Sequence, residues 1–258
     1  MIDVRKFVQR YRSTLSALTI VAAVVLILWT VNNPAIVGAS ATQRQLPVYS
    51  VQHEDKIVAL SFDAAWGNED TQTLIDILQQ HGVNATFFVV GDWVDRYPES
   101  VKALHEAGNE IMNHSLNHAH FSTLREDEII SDVTACNEKI AAQTGVTPTL
   151  FRCPYGEYDD HVIQAVNSLG MTAVQWDVDS LDWKGISAEE IQKRVLRNIR
   201  PGSIVLFHNA AEHTPEALPG ILDALQKDGY TIVPISQILL DGETRIDNTG
   251  RQFLKDGA

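Results

Sequence analysis

An apolar run, "KIVALSF", ends on a carboxylate, Asp63, and is followed by Ala64, Ala65 and Trp66 instead of further polar residues. A buried strand that closes on an acid can present a general base at a sheet edge. Further on, "HSLNH" places His114 and His118 at i, i+4, a spacing that can set two imidazoles on one helical face and hold a metal ion. With nine His in the chain, such a pair also arises by chance, and hydrogen-bonded or exposed histidines are the plainer account. In "RCPYG", Pro154 and Gly156 force a tight turn beside Arg152. An arginine there can keep a carboxylate ionised through a paired hydrogen bond, or can simply be a surface residue at a turn. "DVDSLDWKG" offers Asp177, Asp179 and Asp182 ahead of Trp183, as chemistry or as an acidic loop capping a helix. "VLFHN" ends an apolar strand on His208, where a satisfied core histidine is the ordinary reading.

What must position these side chains is a repeating strand-then-helix rhythm. "KIVALSF", "NATFFVV", "NEIMNH", "PTLFR", "MTAVQWDV", "GSIVLFH" and "TIVPI" read as strands. Between them lie helical patterns such as "TQTLIDILQQHG", with Leu74, Ile75, Ile77 and Leu78 at helical spacing, and "SAEEIQKRVLRNI", with Ser187 and Glu190 as a capping box. Seven strands alternating with helices predict a parallel sheet, either an open doubly wound sheet or a closed barrel. Asp63, Gly91 with Asp92, His114, Arg152, Asp177 with Asp179, and His208 each fall at the C-terminal end of a different strand. Only a barrel brings all those ends to one mouth. The expectation is therefore an α/β fold, a distorted (β/α) barrel of about seven parallel strands.

The chain has 258 residues and a net charge of −13, so no basic surface offers itself to a nucleic acid. Residues 1–14 form a basic stub with Arg5, Lys6, Arg10 and Arg12, and residues 15–31 are uncharged and apolar. That order predicts a membrane anchor with the remainder of the chain outside the cell. A cleaved signal peptide ending near Val37-Gly38-Ala39 is the other reading, and it would make the protein secreted. Residues 32–55 read as a linker, 56–240 as the folded domain and 241–258 as a polar tail. The two cysteines, Cys136 and Cys153, make no disulfide framework.

Five segments, in order, resemble the motifs of the polysaccharide deacetylase family, also called NodB-homology or carbohydrate esterase family 4 domains. "SFDA" resembles the family's T-F-D-D, "HSLNH" its H-[ST]-x-x-H, "RCPYG" its R-x-P-[YF], "DSLDW" its D-x-x-D-W and "LFH" its L-x-H. The resemblance implies a distorted barrel and metal-assisted hydrolysis of N-acetyl groups on a sugar polymer, most plausibly peptidoglycan. It implies a divalent cation, usually zinc, on His114 and His118, with Asp63 as general base and Arg152 keeping Asp63 ionised. It further implies His208 as general acid oriented by Asp182, the backbone N–H of Tyr155 at the oxyanion, and Trp183 as a pocket wall. Relatives with a drifted first motif include spore-associated deacetylases.

The departure is Ala64, which stands where the family has its second aspartate, a metal ligand. Catalytic zinc sites normally combine three protein ligands with water. Three outcomes stay open: Asp63 ligates the metal itself, Glu69 or Asp70 replaces the missing carboxylate, or the site is degraded. The last would leave a weak enzyme or a glycan-binding protein without activity. Deacetylation of chitin or xylan fragments is a further alternative within the same chemistry.

Overall fold

The structure is a computed structural model that describes residues 4–32 and 44–255. The chain divides into two compact units, Met1–Arg44 and Gln45–Ala258. Among its described residues the first contains one helix, α1 (Val4–Asn32), on which Leu18, Ile20, Val21 and the run from Val24 to Trp29 are exposed. Among the described residues no helix is long and apolar enough to cross a membrane, so the transmembrane expectation finds no support here. The side chains of Arg5, Lys6, Arg10 and Arg12 in the basic stub and the Val37-Gly38-Ala39 segment lie outside the described residues.

The second unit runs β1 (Ser50–Val51), β2 (Ile57–Ala64), α2 (Thr71–Gln80), β3 (Thr86–Val89), α3 (Gly91–Arg96), α4 (Pro98–Glu106) and β4 (Glu110–Asn113). It continues with α5 (Glu126–Thr144), β5 (Leu150–Phe151), α6 (Asp160–Ser168), β6 (Thr172–Ala173), β7 (Val178–Asp179), α7 (Ala188–Asn198) and β8 (Ile204–His208). Then follow α8 (Thr214–Lys227), β9 (Thr231–Val233), α9 (Ile235–Ile238), β10 (Thr244–Ile246) and β11 (Arg251–Leu254). The expected helices form where the apolar spacing put them, and Ser187 and Glu190 make the capping box that starts α7.

One parallel sheet carries the order β6-β5-β4-β3-β2-β8-β7, with β9 pairing the start of β2. It is a half-barrel in its continuous hydrogen bonding. The stretch read as one strand, "MTAVQWDV", is two: β6 pairs β5 and β7 pairs β8. The chain crosses from one edge of the sheet to the other between them, with Val174 N–H donating to Phe151 O at 2.9 Å and Asp177 N–H to Ile204 O at 3.2 Å. The ring is thus distorted at one bent strand, as a small barrel requires when a regular ladder cannot bridge both neighbours.

Alternation along β2 separates the two faces. Val58, Leu60, Phe62 and Ala64 join Leu74, Leu218 and their neighbours in the layer between sheet and helices. Phe62 stacks there on Phe87 and Phe207, at centroid distances of 4.8 and 5.4 Å. Ala59 instead packs with Phe88, Met112 and Ile204. The alternation that turns Asp63 to the inner face therefore turns Ala64 away from it.

Two boundaries differ from expectation. Val48 and Val51, within the supposed linker, are buried core residues. The supposed polar tail forms an antiparallel hairpin, β10 with β11, and β11 pairs β1. Its turn is fixed by the Asp247 carboxylate, which accepts from the N–H groups of Thr249 and Arg251 at 2.8 and 3.0 Å. Residues 33–43 of that linker and 256–258 of that tail lie outside the described residues.

Candidate active site at the C-terminal edge of the sheet

The C-terminal ends of the strands surround a cavity of about 440 Å³ whose wall includes Asp63, His114, His118, Tyr155, Trp183 and His208. Arg152 and Asp182 stand behind that wall, at 0% and 1% exposure. The side chains expected to gather from distant parts of the sequence do gather.

Asp63 lies in register with Phe88 of β3 and His208 of β8. Its Oδ1 accepts from Arg152 Nη1 at 2.8 Å, while Arg152 Nη2 donates to Gln175 O at 3.0 Å and the guanidinium lies 4.1 Å from the Phe88 ring centre. Burial alone would push the Asp63 carboxyl up. The positive charges around it outweigh burial and hold it below the usual carboxylate range. His114 contributes most to that lowering when it is protonated, followed by Arg152 and His208; Arg152 is the permanent cation among them, because burial lowers His114 itself.

His114 and His118 do not share a helix. They sit in a loop after β4, in which Ser115 and His118 adopt φ of 75° and 60°. Left-handed backbone at non-glycine residues is costly and persists where surrounding bonds impose it. Here Ser115 N–H donates to Asn113 Oδ1 at 2.7 Å, Leu116 N–H to Asp132 Oδ1 at 2.7 Å, and His118 N–H to Ser115 Oγ at 2.9 Å. Those contacts bring the two imidazoles to a centroid distance of 5.0 Å.

The His114 tautomer is set by its neighbour. Nδ1 is 2.8 Å from the Arg152 carbonyl, which only accepts, so Nδ1 carries the proton and Nε2 keeps its lone pair. That lone pair faces Asp63 Oδ2 at 3.4 Å. Two electron-pair donors so placed repel unless a cation or proton joins them, and the spacing suits two ligands of one tetrahedral ion with bonds of about 2.1 Å. His118 is pushed down to about 4, first by burial and then because a protonated His118 and a protonated His114 would repel each other, so it too offers a neutral ring. The fit is a pair plus a neighbour: among the described residues no group of three or more His, Cys, Asp or Glu closes as a metal cluster.

Glu69 and Asp70 do not supply the missing ligand. Glu69 is exposed, and the Asp70 Oδ2 accepts from Ala210 N–H at 2.8 Å, which ties the loop after β2 to the loop after β8. Asp177 also leaves the site, accepting from Arg200 Nε, Ser203 Oγ and Ile204 N–H at the other end of β8. Asp179 does border the cavity.

Across from Asp63, His208 Nδ1 donates to Asp182 Oδ1 at 2.8 Å. Asp182 Oδ2 accepts from His208 N–H at 2.8 Å and from Thr214 Oγ1 at 2.7 Å. Burial disfavours the imidazolium, but the Asp182 hydrogen bond and the charges of Asp63, Asp182 and Asp179 overcome it and raise His208. A raised histidine contributes stability that is complete below the ordinary value of 6.5 and fades as pH climbs through the folded value. Asp182→Asn should therefore move the His208 titration, followed by imidazole NMR, to lower pH, and should weaken the loss of stability that follows as pH rises above 6.5. An unchanged titration would remove Asp182 as the orienting group.

Tyr155 adopts φ of 58° before Gly156, where an added Cβ would come 3.1 Å from the Trp176 ring. The tight turn expected at "RCPYG" thus exposes the Tyr155 side chain and places the residue on the cavity wall. Sequence reasoning missed Trp66, Trp176, Asn209 and Thr214. Asn209 follows His208 directly, yet an asparagine after a strand reads as a turn residue and gives no further signal.

The polysaccharide deacetylase family model matches residues 50–174. The chain is 37% identical over 171 residues to a peptidoglycan-N-acetylglucosamine deacetylase of Bacillus cereus, covering 66% of this chain and 61% of that protein. It is 31% identical over 198 residues to the peptidoglycan-N-acetylmuramic acid deacetylase PdaA of Bacillus subtilis, covering 75% of each. Among solved structures it matches BA3943 of Bacillus anthracis, described as a CE4 family pseudoenzyme, at TM-score 0.72 and 35% identity over 74% of this chain and 68% of that one. A mutant of that pseudoenzyme is described as having restored enzymatic activity. The chain spans about three-fifths of the length of the Bacillus cereus relative. With the motif residues drawn to one cavity and these similarities along most of the folded unit, the chain belongs to the polysaccharide deacetylase family.

Proposed function

We propose that the protein hydrolyses N-acetyl groups on an amino-sugar polymer, with peptidoglycan as the substrate. The observation that carries this reading is the pair of buried couples facing one cavity, Asp63 with Arg152 and His208 with Asp182. One couple favours an ionised carboxylate and the other favours the protonated form of an imidazole, the division that acid–base hydrolysis of an amide needs. Asp63 takes a proton from the attacking water, and the Tyr155 backbone N–H donates to the developing oxyanion. His208 delivers a proton to the departing amine, releasing acetate and a free amino sugar. A divalent cation, zinc by ligand type, would be held by His114, His118 and Asp63, and when bound it supplies Lewis-acid polarisation of water and amide.

Acetate release from N-acetylated chitooligosaccharides and from peptidoglycan, with zinc in excess and again with a chelator, tests the reading. Release that the chelator abolishes is expected. A second reading, a glycan-binding protein without hydrolysis, draws on Ala64, on the absence among the described residues of any group of three or more His, Cys, Asp or Glu that closes as a metal cluster, and on the likeness to a pseudoenzyme. Binding without acetate release at any zinc concentration would establish it.

Position 64 gives a separate handle. Ala64 is fully buried on the helix-side face at the last residue of β2. A carboxylate there is costly in an apolar layer unless it turns to a cation. Ala64→Asp is expected to lower the melting temperature in chelator and to recover with zinc, by about 2.7 kcal/mol at a hundred times the dissociation constant. If zinc returns none of the loss, position 64 has no access to the ion.

Location is inferred from α1, whose exposed apolar run from Val24 to Trp29 suits lipid contact, with the folded unit outside the cytoplasm where the polymer lies. Protease shaving of intact cells is expected to remove the folded unit; full protection would place it inside.

A further inference from the structure

The segment joining His114 to His118 has no regular secondary structure, yet all four backbone polar groups of Ser115 and Leu116 have protein partners. On one side, Gly91 N–H donates to Ser115 O and Asp92 N–H to Leu116 O, both at 2.9 Å. Glycine at 91 permits that approach, since an added Cβ would lie 2.8 Å from Leu116 Cδ1 and 3.1 Å from its carbonyl oxygen. On the other side, Asn113 Oδ1 takes the Ser115 N–H and Asp132 Oδ1, on α5, takes the Leu116 N–H, each at 2.7 Å. Asn113 is itself fixed by α5, donating through Nδ2 to Val133 O at 2.9 Å and to Asn137 Oδ1 at 2.7 Å.

Asp132 is the one side chain in this set that reaches the segment from a helix. The α3 contacts are made by backbone, and Asn113 ends the strand that leads into the segment. Burial pushes the Asp132 carboxyl up to about 6, against the lowering effect of the Leu116 bond, and the charge of Asp92 adds to the rise. The place therefore suits an acceptor oxygen better than a full charge. Without the acceptor, the left-handed backbone at Ser115 and His118 would lose one of the bonds that impose it. Two imidazoles chelate one ion only while the backbone between them keeps its shape.

We propose that Asp132 is a positioning residue for the cation site. Through the Leu116 N–H it holds the His114–His118 segment in its ligating shape before an ion arrives. Helix α5, which carries none of the five motif segments, thereby becomes part of the site. The consequence for zinc rests on the metal reading given above, whereas the hold on the segment does not.

Zinc titration of the full chain, with melting temperature and amide hydrogen exchange measured in chelator, tests it. Asp132→Ala removes the acceptor and suits a helix, so it should fold, and circular dichroism checks that. It is expected to weaken zinc binding by roughly 10–100-fold and to speed exchange at the Leu116 and His118 amides. Asp132→Asn keeps an acceptor without the charge and should retain both properties. Thr86→Val breaks the bonds of the Thr86 hydroxyl to Glu110 and Ile235 at the start of β3, and should lower the melting temperature without touching either. Unchanged zinc affinity in Asp132→Ala, the same loss in Asp132→Asn, or an equal loss in Thr86→Val would overturn the proposal. If the unaltered protein takes up no zinc, the metal reading falls and exchange alone decides. Faster exchange in Asp132→Ala but not in Asp132→Asn leaves Asp132 as the holder of the segment, and unchanged exchange removes it.

Discussion

Arg152→Met is expected to lower the stability of the folded protein by about 3–5 kcal/mol at pH 7, the cost of leaving a buried charge unpaired. Asp63 is 5% exposed and Arg152 is its direct partner, so removing the guanidinium strands a carboxylate inside the barrel mouth. The same change frees the Gln175 carbonyl and vacates the face of Phe88. Against a total stability of roughly 5–15 kcal/mol, that is enough to make the variant marginal at growth temperature. Urea midpoints measure it. The double variant Asp63→Asn/Arg152→Met should recover much of the loss, because an amide is far cheaper to bury than an ion. A single-variant cost below about 1 kcal/mol, or a double variant no better than the single, would show that the couple does not hold this end of the fold together.

Asp63→Asn keeps the shape of the site but leaves the buried Arg152 cation without its counter-charge, so it too should cost stability, and the folded enzyme should show turnover lowered by roughly 10²–10⁴-fold, the usual contribution of a general base. The replacement is isosteric, and its amide oxygen still accepts from Arg152. Zinc content measured on the same sample divides the two roles assigned to this carboxylate. Retained metal with slow turnover assigns it to proton transfer, and metal lost in parallel assigns it to ligation. A variant that keeps both would strip Asp63 of either role. His208→Ala provides the contrast, with metal retained and turnover reduced.

Much of this was legible from residue pattern. Helices such as α2 and α7 announce themselves through apolar spacing and caps, and each chemical residue sits where a strand pattern ends. Partners across the sheet were not legible: nothing in the run from Thr172 to Asp179 says that its two halves pair different neighbours. The His114–His118 spacing fits a helix as well as a loop, and only the bonds to Asn113, Asp132 and Ser115 decide between them. The Asp63–Arg152 couple joins residues 89 apart, a distance at which local pattern carries no information, so the family resemblance alone pointed to it. The C-terminal hairpin was readable, since Asp247-Asn248-Thr249-Gly250 divides two alternating segments. Its polar composition hid it.

That hairpin has a wider implication. Because β11 lies beside β1, and Val51 N–H in turn bonds to Gly202 O before β8 begins, the first and last strands of the folded unit meet at the pole facing away from the cleft. Because the two strands run parallel, a covalent join would have to cross back from the end of β11 to the start of β1. New termini could then be opened in a surface loop such as the one after α5. The architecture thus lends itself to circular permutation and to carrying cargo at its base while the rim stays open to a long polymer.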